Sequence, residues 1–170
     1  MDSSEISNNY KAYDLRINKG QLPTIIIAGH LFFVDIRMDM LRPKDDFLSR
    51  GIVFSEIRNY FNEEQNSYLI PYNPKTHEFQ DIDLSSIKEF PKNLIAIQFP
   101  TEDELDRIGW NRQHGYELTN NLATKDFKML FKAEQIPWDK TFLSDLIKSN
   151  VRFDNHKEKI KKNKSKGRKM

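Results

Sequence analysis

Apolar positions along the chain change their spacing several times, and each change predicts an element. Pro23 opens Thr24-Ile25-Ile26-Ile27-Ala28, a β-branched run that suits a strand. Gly29-His30 follows, and a glycine at the first turn position reads as a type II′ hairpin leading into a second strand, Leu31 to Met38. There Phe32, Val34, Ile36 and Met38 alternate with Leu31, Phe33, Asp35 and Arg37, so the first set is expected to face the core. Phe33 then lies under a helix or in water. Beyond the turn Pro43-Lys44-Asp45-Asp46, Ile52, Val53 and Phe54 give a shorter third strand within Gly51 to Ile57.

Ser67 to Tyr72 and His77 to Gln80 flank Asn73-Pro74-Lys75-Thr76, in which proline fixes φ and asparagine can bond its own backbone. A second hairpin is predicted, with Pro71 placing its first strand at a sheet edge because proline cannot donate to a ladder. Asn93 to Phe99 reads as a buried strand ended by Pro100, and alternating Phe127, Met129, Phe131 and Ala133 as the last strand. Helix signals come late. Thr101 and Glu104 have capping-box spacing, and Gly109 reads as the stop of that short helix. Trp110 to Lys125 lacks a period and reads mostly as loop. Asp139 or Thr141 then caps a helix whose Phe142, Leu143, Leu146 and Ile147 form one apolar stripe.

Strands first and helices later predict an α+β fold, an antiparallel or mixed β-sheet built from hairpins with two or three short helices packed on one side and disordered ends. Residues 1–20 are polar and unpatterned and read as a flexible leader. Residues 21–153 form a single α+β domain, and residues 154–170 a basic disordered tail. A chain of 170 residues with 38% hydrophobic side chains can bury a core without staples. Zero cysteines exclude disulfide, thiolate-metal and cysteine-nucleophile chemistry and accord with a cytoplasmic location. No run approaches the roughly 18 apolar residues of a membrane helix, so no membrane partner is expected.

Charge changes the picture most. From Asn155 to Met170 seven lysines and Arg168 stand against Glu158, a net +7; the whole chain is +2, which leaves −5 for the body. Lys157, Lys159, Lys161, Lys162, Lys164, Lys166, Arg168 and Lys169 are therefore the candidate nucleic-acid contacts, binding DNA or RNA through phosphates without sequence preference. Trp110, Arg112 and His114 are a second candidate, because an aromatic ring, a guanidinium and an imidazole in a loop can meet a phosphate or a base.

Candidate chemistry elsewhere is sparse. Six scattered glycines form no phosphate loop, and His30, His77, His114 and His156 sit in no nucleophile elbow. His77, Glu78, Asp81 and Asp83 resemble a metal cluster less than a solvated hairpin, and Glu102, Asp103, Glu104 and Asp106 suit a helix N-terminus. Asp35, Arg37 and Asp39 fit a salt-bridged outer face. No catalytic residue, metal site or cofactor is assigned.

Three segments, Leu22 to His30 continuing through Phe33-Val34-Asp35-Ile36-Arg37, then Tyr72-Asn73-Pro74-Lys75-Thr76, then Lys132-Ala133-Glu134-Gln135-Ile136-Pro137-Trp138, carry a resemblance. The chain resembles small uncharacterised proteins of conjugative transposons and related mobile elements of gut anaerobic bacteria, over most of residues 22 to 150. The resemblance supplies no active site and implies a setting in which DNA is processed nearby. The expected function is a non-enzymatic accessory protein that binds an unidentified protein partner while its tail tethers nucleic acid. The alternatives are a protein-interaction or structural module with a solubilising tail, and an enzyme whose site joins Arg112, His114 and a carboxylate such as Asp103.

Overall fold

The computed structural model describes residues 11–122 and 127–167, the last six by backbone alone. The fold is α+β, as expected, but its strands divide into two sheets. The first has the order β4 (Ile52–Val53), β3 (Met40–Pro43), β2 (His30–Asp35), β1 (Thr24–Ile27), β9 (Leu130–Lys132). The second runs β10 (Glu134–Ile136), β8 (Ile95–Pro100), β6 (Ser67–Asn73), β5 (Phe61–Asn62), with β7 (Glu78–Phe79) also on β6. All pairings are antiparallel except β1 with β9. One apolar core joins the sheets: Ile25, Ile27, Phe32 and Val34 from the first meet Tyr68, Ile70, Tyr72, Ile97 and Phe99 from the second. Phe32 and Tyr72 touch edge to face across it.

The first hairpin forms one residue earlier than expected. Ala28 and Gly29 both have positive φ, 48° and 83°, as a type I′ turn requires, and Ile27 pairs with His30. The second strand stops at Asp35, whose carboxylate accepts the Met38 N–H at 3.1 Å and turns the chain into β3. Phe32 and Val34 are buried as predicted, Ile36 only partly, and Met38 is exposed. Phe33 is covered by neither helix nor water alone: the Arg42 guanidinium lies 4.9 Å over its ring. Gly51 holds φ at 65° beneath β3, where a Cβ would stand 2.6 Å from the Leu41 carbonyl oxygen.

The Asn73 turn closes as predicted, its Oδ1 accepting from the Lys75 N–H at 2.9 Å. Pro71, however, sits in a central strand. β6 pairs with β8 along six residues, while on its other side β5 meets Ser67 and Tyr68 and β7 meets Tyr72 and Asn73. Pro71 falls in the gap between β5 and β7, where its missing N–H breaks no ladder and its carbonyl accepts from Gln80. Strands β9 and β10 are one segment that leaves the first sheet at Ala133, whose N–H donates to the Ile26 carbonyl, and enters the second.

Three helical expectations change. Residues 11–17, read as leader, form helix α1, held by a buried ion pair between Arg16 and Asp106. Arg16 Nε meets Asp106 Oδ1 at 3.1 Å and Nη2 meets Oδ2 at 2.9 Å. Thr101 forms no capping bond for α2 (Glu102–Leu105); its hydroxyl donates to Asp103 instead. Asp106 caps α3 (Arg107–Gln113) by accepting from the Gly109 N–H at 3.1 Å. Gly109 therefore lies within α3 rather than ending α2, and any Cβ there would collide with the Asp106 carboxylate. Finally, α4 (Phe142–Gly167) is 26 residues long, so the tail expected to be disordered continues a helix from 154 to Gly167.

Three buried tyrosines line the core with different fates for their hydroxyls. Tyr60 donates to Asp81 at 2.6 Å and Tyr68 to the buried Glu102, whereas Tyr72 Oη is buried without a protein partner among the described residues. Tyr72→Phe is expected to raise stability by about 1 kcal/mol, and Tyr68→Phe to lower it by a similar amount because Glu102 loses a donor. Urea unfolding of both variants checks the opposite signs; equal losses would contradict them.

Candidate nucleic-acid interface

The basic tail owes its position to the first half of α4. Thr141 caps the helix, its Oγ1 accepting from the Leu143 N–H at 3.2 Å and donating to the Trp138 carbonyl at 2.7 Å. Leu143 is fully buried and Leu146 and Ile147 half-buried, so the predicted stripe seats the helix, although Phe142 itself is largely exposed. Two turns on, Asn150 Nδ2 donates to the Leu84 and Ile87 carbonyls at 3.1 and 2.9 Å. An ion pair between Lys88 and Asp154 makes the last tie to the body, and the Asp154 carboxylate holds the Lys88 ammonium above its ordinary pKa.

Beyond Asp154 the helix enters solvent. Residues 155–161 are all exposed, and at 1.5 Å per residue the stretch 155–167 projects about 20 Å. Lysine is a good helix former, and its charge suits the negative end of the helix dipole. Lys157 packs its ammonium 4.9 Å over the Phe153 ring; Lys159 and Lys161 are exposed. The side chains of Lys162, Lys164 and Lys166, and residues Arg168 and Lys169 altogether, lie outside those described. A helix whose residues 155–161 are all exposed can lay Lys157, Lys159 and Lys161 along a phosphate backbone without burying their charges.

Trp110, Arg112 and His114 are not in a loop but on and just after α3. The indole and imidazole lie 3.9 Å apart, tilted by 33°, His114 Nδ1 lies 2.9 Å from the Trp110 carbonyl, and Tyr116 stacks on His114 at 6.0 Å. Arg112 lines a hollow with Arg16, Arg37 and Met38, while Asp103 lines a different hollow with Arg107 and Phe127. His114 lines neither, so the three groups of the enzyme reading are not brought together.

The remaining candidates are likewise dispersed. The four carboxylates near α2 share no partner: Glu102 binds Tyr68 and Arg58, Asp103 binds Arg107, Glu104 binds Asn66, and Asp106 binds Arg16. Asp35 pairs with Arg42 at 3.6 Å, and Asp39 accepts from the Ser55 N–H. Glu78 accepts from the Arg50 N–H, Asp81 from Tyr60, and Asp83 from Ser85 and Ser86. His77 leaves them altogether. It stacks on His30 at 3.8 Å and 11°, and its Nδ1 meets Asp46 at 2.8 Å, a bond that lowers the Asp46 pKa. Among the described residues no group of three or more histidine or carboxylate side chains could hold a metal ion, and no helix is long and apolar enough to cross a membrane.

Sequence reasoning passed over one surface feature. Phe47 and Leu48, adjacent in the loop between β3 and β4, are 98% and 97% exposed, and two neighbouring apolar side chains without periodicity give no signal in a chain. Comparison with protein-family models, with curated proteins and with solved structures finds no match to this chain.

Proposed function

We propose that this protein is a non-enzymatic accessory protein whose C-terminal helix tethers it to nucleic acid without sequence preference, and whose body engages a protein partner. The observation that carries this reading is the basic extension of α4, which leaves the body after Asp154 with Lys157, Lys159 and Lys161 exposed to solvent. The resemblance to mobile-element proteins supports DNA as the polymer. An arm of this kind binds by releasing counterions, so affinity follows salt steeply and base sequence hardly at all.

Fluorescence anisotropy with duplex DNA tests the proposal. If about five phosphates are neutralised, log affinity against log salt has a slope of about −4.5. Removing residues 155–170 is expected to weaken binding at low salt by about a hundredfold or more and to flatten that slope. Unchanged retention by the shortened chain would sink the tether. A protein-interaction module with a solubilising tail is the second reading, favoured by the exposed Phe47 and Leu48. It expects no salt-sensitive binding in the same titration.

A further inference from the structure

On the outward side of the second sheet Leu69 and Gln98 are only half-buried. The first turns of α4 lie beside it, and next to them two hollows of about 650 and 500 Å³ share Gln65, Gln98 and Ile136, so together they form one groove across β6, β8 and β10. Its floor combines apolar Leu69 and Ile136 with Gln98, whose amide already donates to Gln65 and Ser67. Covering that floor would leave this amide's donors paired. Phe61 and Phe142 present exposed ring area at the side. The rim is acidic: Glu63, Glu64, Glu104 and Glu134 outnumber Lys132 and Lys140.

The chain carries a complementary element. On the projecting half of α4, Phe153 and Ile160 are 59% and 42% exposed, and seven residues apart they share a helix face, with Lys157 and Lys161 alongside. A helix with two apolar side chains flanked by lysines matches an apolar floor flanked by glutamates in both respects. A chain's own extension is directed away from its groove. α4 starts at the groove with Phe142, is tied down by Asn150 and Asp154, and continues as unbroken helix, so a return would require unwinding it.

We propose that the groove on the second sheet receives the α4 extension of a second copy of this chain. Because α4 begins beside the groove and extends beyond the body, two copies set antiparallel place each extension on the other's groove. The contact is isologous and closes at a dimer, and it goes beyond nucleic-acid tethering while using part of the same helix.

Sedimentation of the full chain without nucleic acid tests this. At roughly 50 µM protein and low salt a dimer is expected, giving way to monomer as salt is raised. Phe153→Ser with Ile160→Ser keeps every lysine and is expected to weaken dimerisation by about tenfold or more while DNA binding persists. A charge exchange adds a stricter condition. One chain carries Lys157→Glu and Lys161→Glu, the other Glu63→Lys and Glu134→Lys. Each alone juxtaposes like charges and should be monomeric, whereas their mixture restores both contacts and should form a heterodimer. A monomer at every salt concentration, a dimer indifferent to Phe153 and Ile160, or a mixture that stays monomeric would overturn the proposal and leave the tether reading untouched.

Discussion

Asp106→Ala is expected to lower the free energy of unfolding by about 3–5 kcal/mol, because it leaves a buried guanidinium without its counter-charge. Arg16 and Asp106 are both almost wholly buried, so removing the carboxylate leaves a desolvated charge with no partner. The carboxylate has a second task, accepting the Gly109 N–H at the start of α3, so its removal also uncaps a helix. Arg16→Met should cost less, since Asp106 keeps the Gly109 bond when its partner is gone. Urea unfolding measures both, and trypsin gives an independent readout: cleavage after Arg16 and Lys19 should accelerate in Asp106→Ala as α1 loses its anchor. A loss below about 1 kcal/mol with an unchanged denaturant slope would show that the guanidinium reaches water when unpaired.

Alkaline pH should unfold the protein more sharply than any single substitution. Burial raises the pKa of the Tyr60, Tyr68 and Tyr72 phenols, helped by hydrogen bonds to Asp81 and Glu102 and by the charge of Asp46 near Tyr72. In the unfolded chain the same phenols ionise near pH 10. Below that pH both states hold the proton and stability is unaffected. Above it the unfolded state loses protons that the folded state retains, so stability falls as pH rises through and beyond about 10. Three phenols acting together give a slope approaching 4 kcal/mol per pH unit, from about 1.4 kcal/mol for each. Circular dichroism and tyrosinate absorbance followed in one titration should change together. Ionisation of these three tyrosines with the fold intact would refute the linkage.

Local signals in the sequence were sufficient where the backbone itself set the structure. The β-branched run at 24–27, the Asn73 turn and the stripe that seats α4 all depend on neighbours in the chain, and each forms. β3 escaped notice because Met40-Leu41-Arg42-Pro43 is short and ends in proline, and α1 because one buried arginine, rather than a stripe, fixes it. Gly109 looked like a helix stop, yet the reason for glycine there is a carboxylate 90 residues from its arginine partner, a contact no window along the chain contains. The candidate site divides the same way. Net charge identified the tail, while the helix there follows from lysine's good helix propensity, which a reading by charge alone does not use. The groove on the second sheet was hidden because its walls come from residues 59–69, 98–104 and 132–142.

The segment that passes from β9 to β10 also bears on how the chain is made. Thr24, near the start of the domain, pairs in parallel with Leu130, and Ala133 fastens to Ile26 before the strand crosses to the other sheet. Closing a loop of that length precedes any reward from the contacts it makes, which slows folding. During synthesis the β1–β2–β3 hairpins can form early, but β1 keeps an unsatisfied edge until residue 132 has left the ribosome. For that interval the nascent chain exposes the edge of Thr24 to Ile27, a β-branched, strand-prone run, and the late strand serves as the cap that ends the exposure.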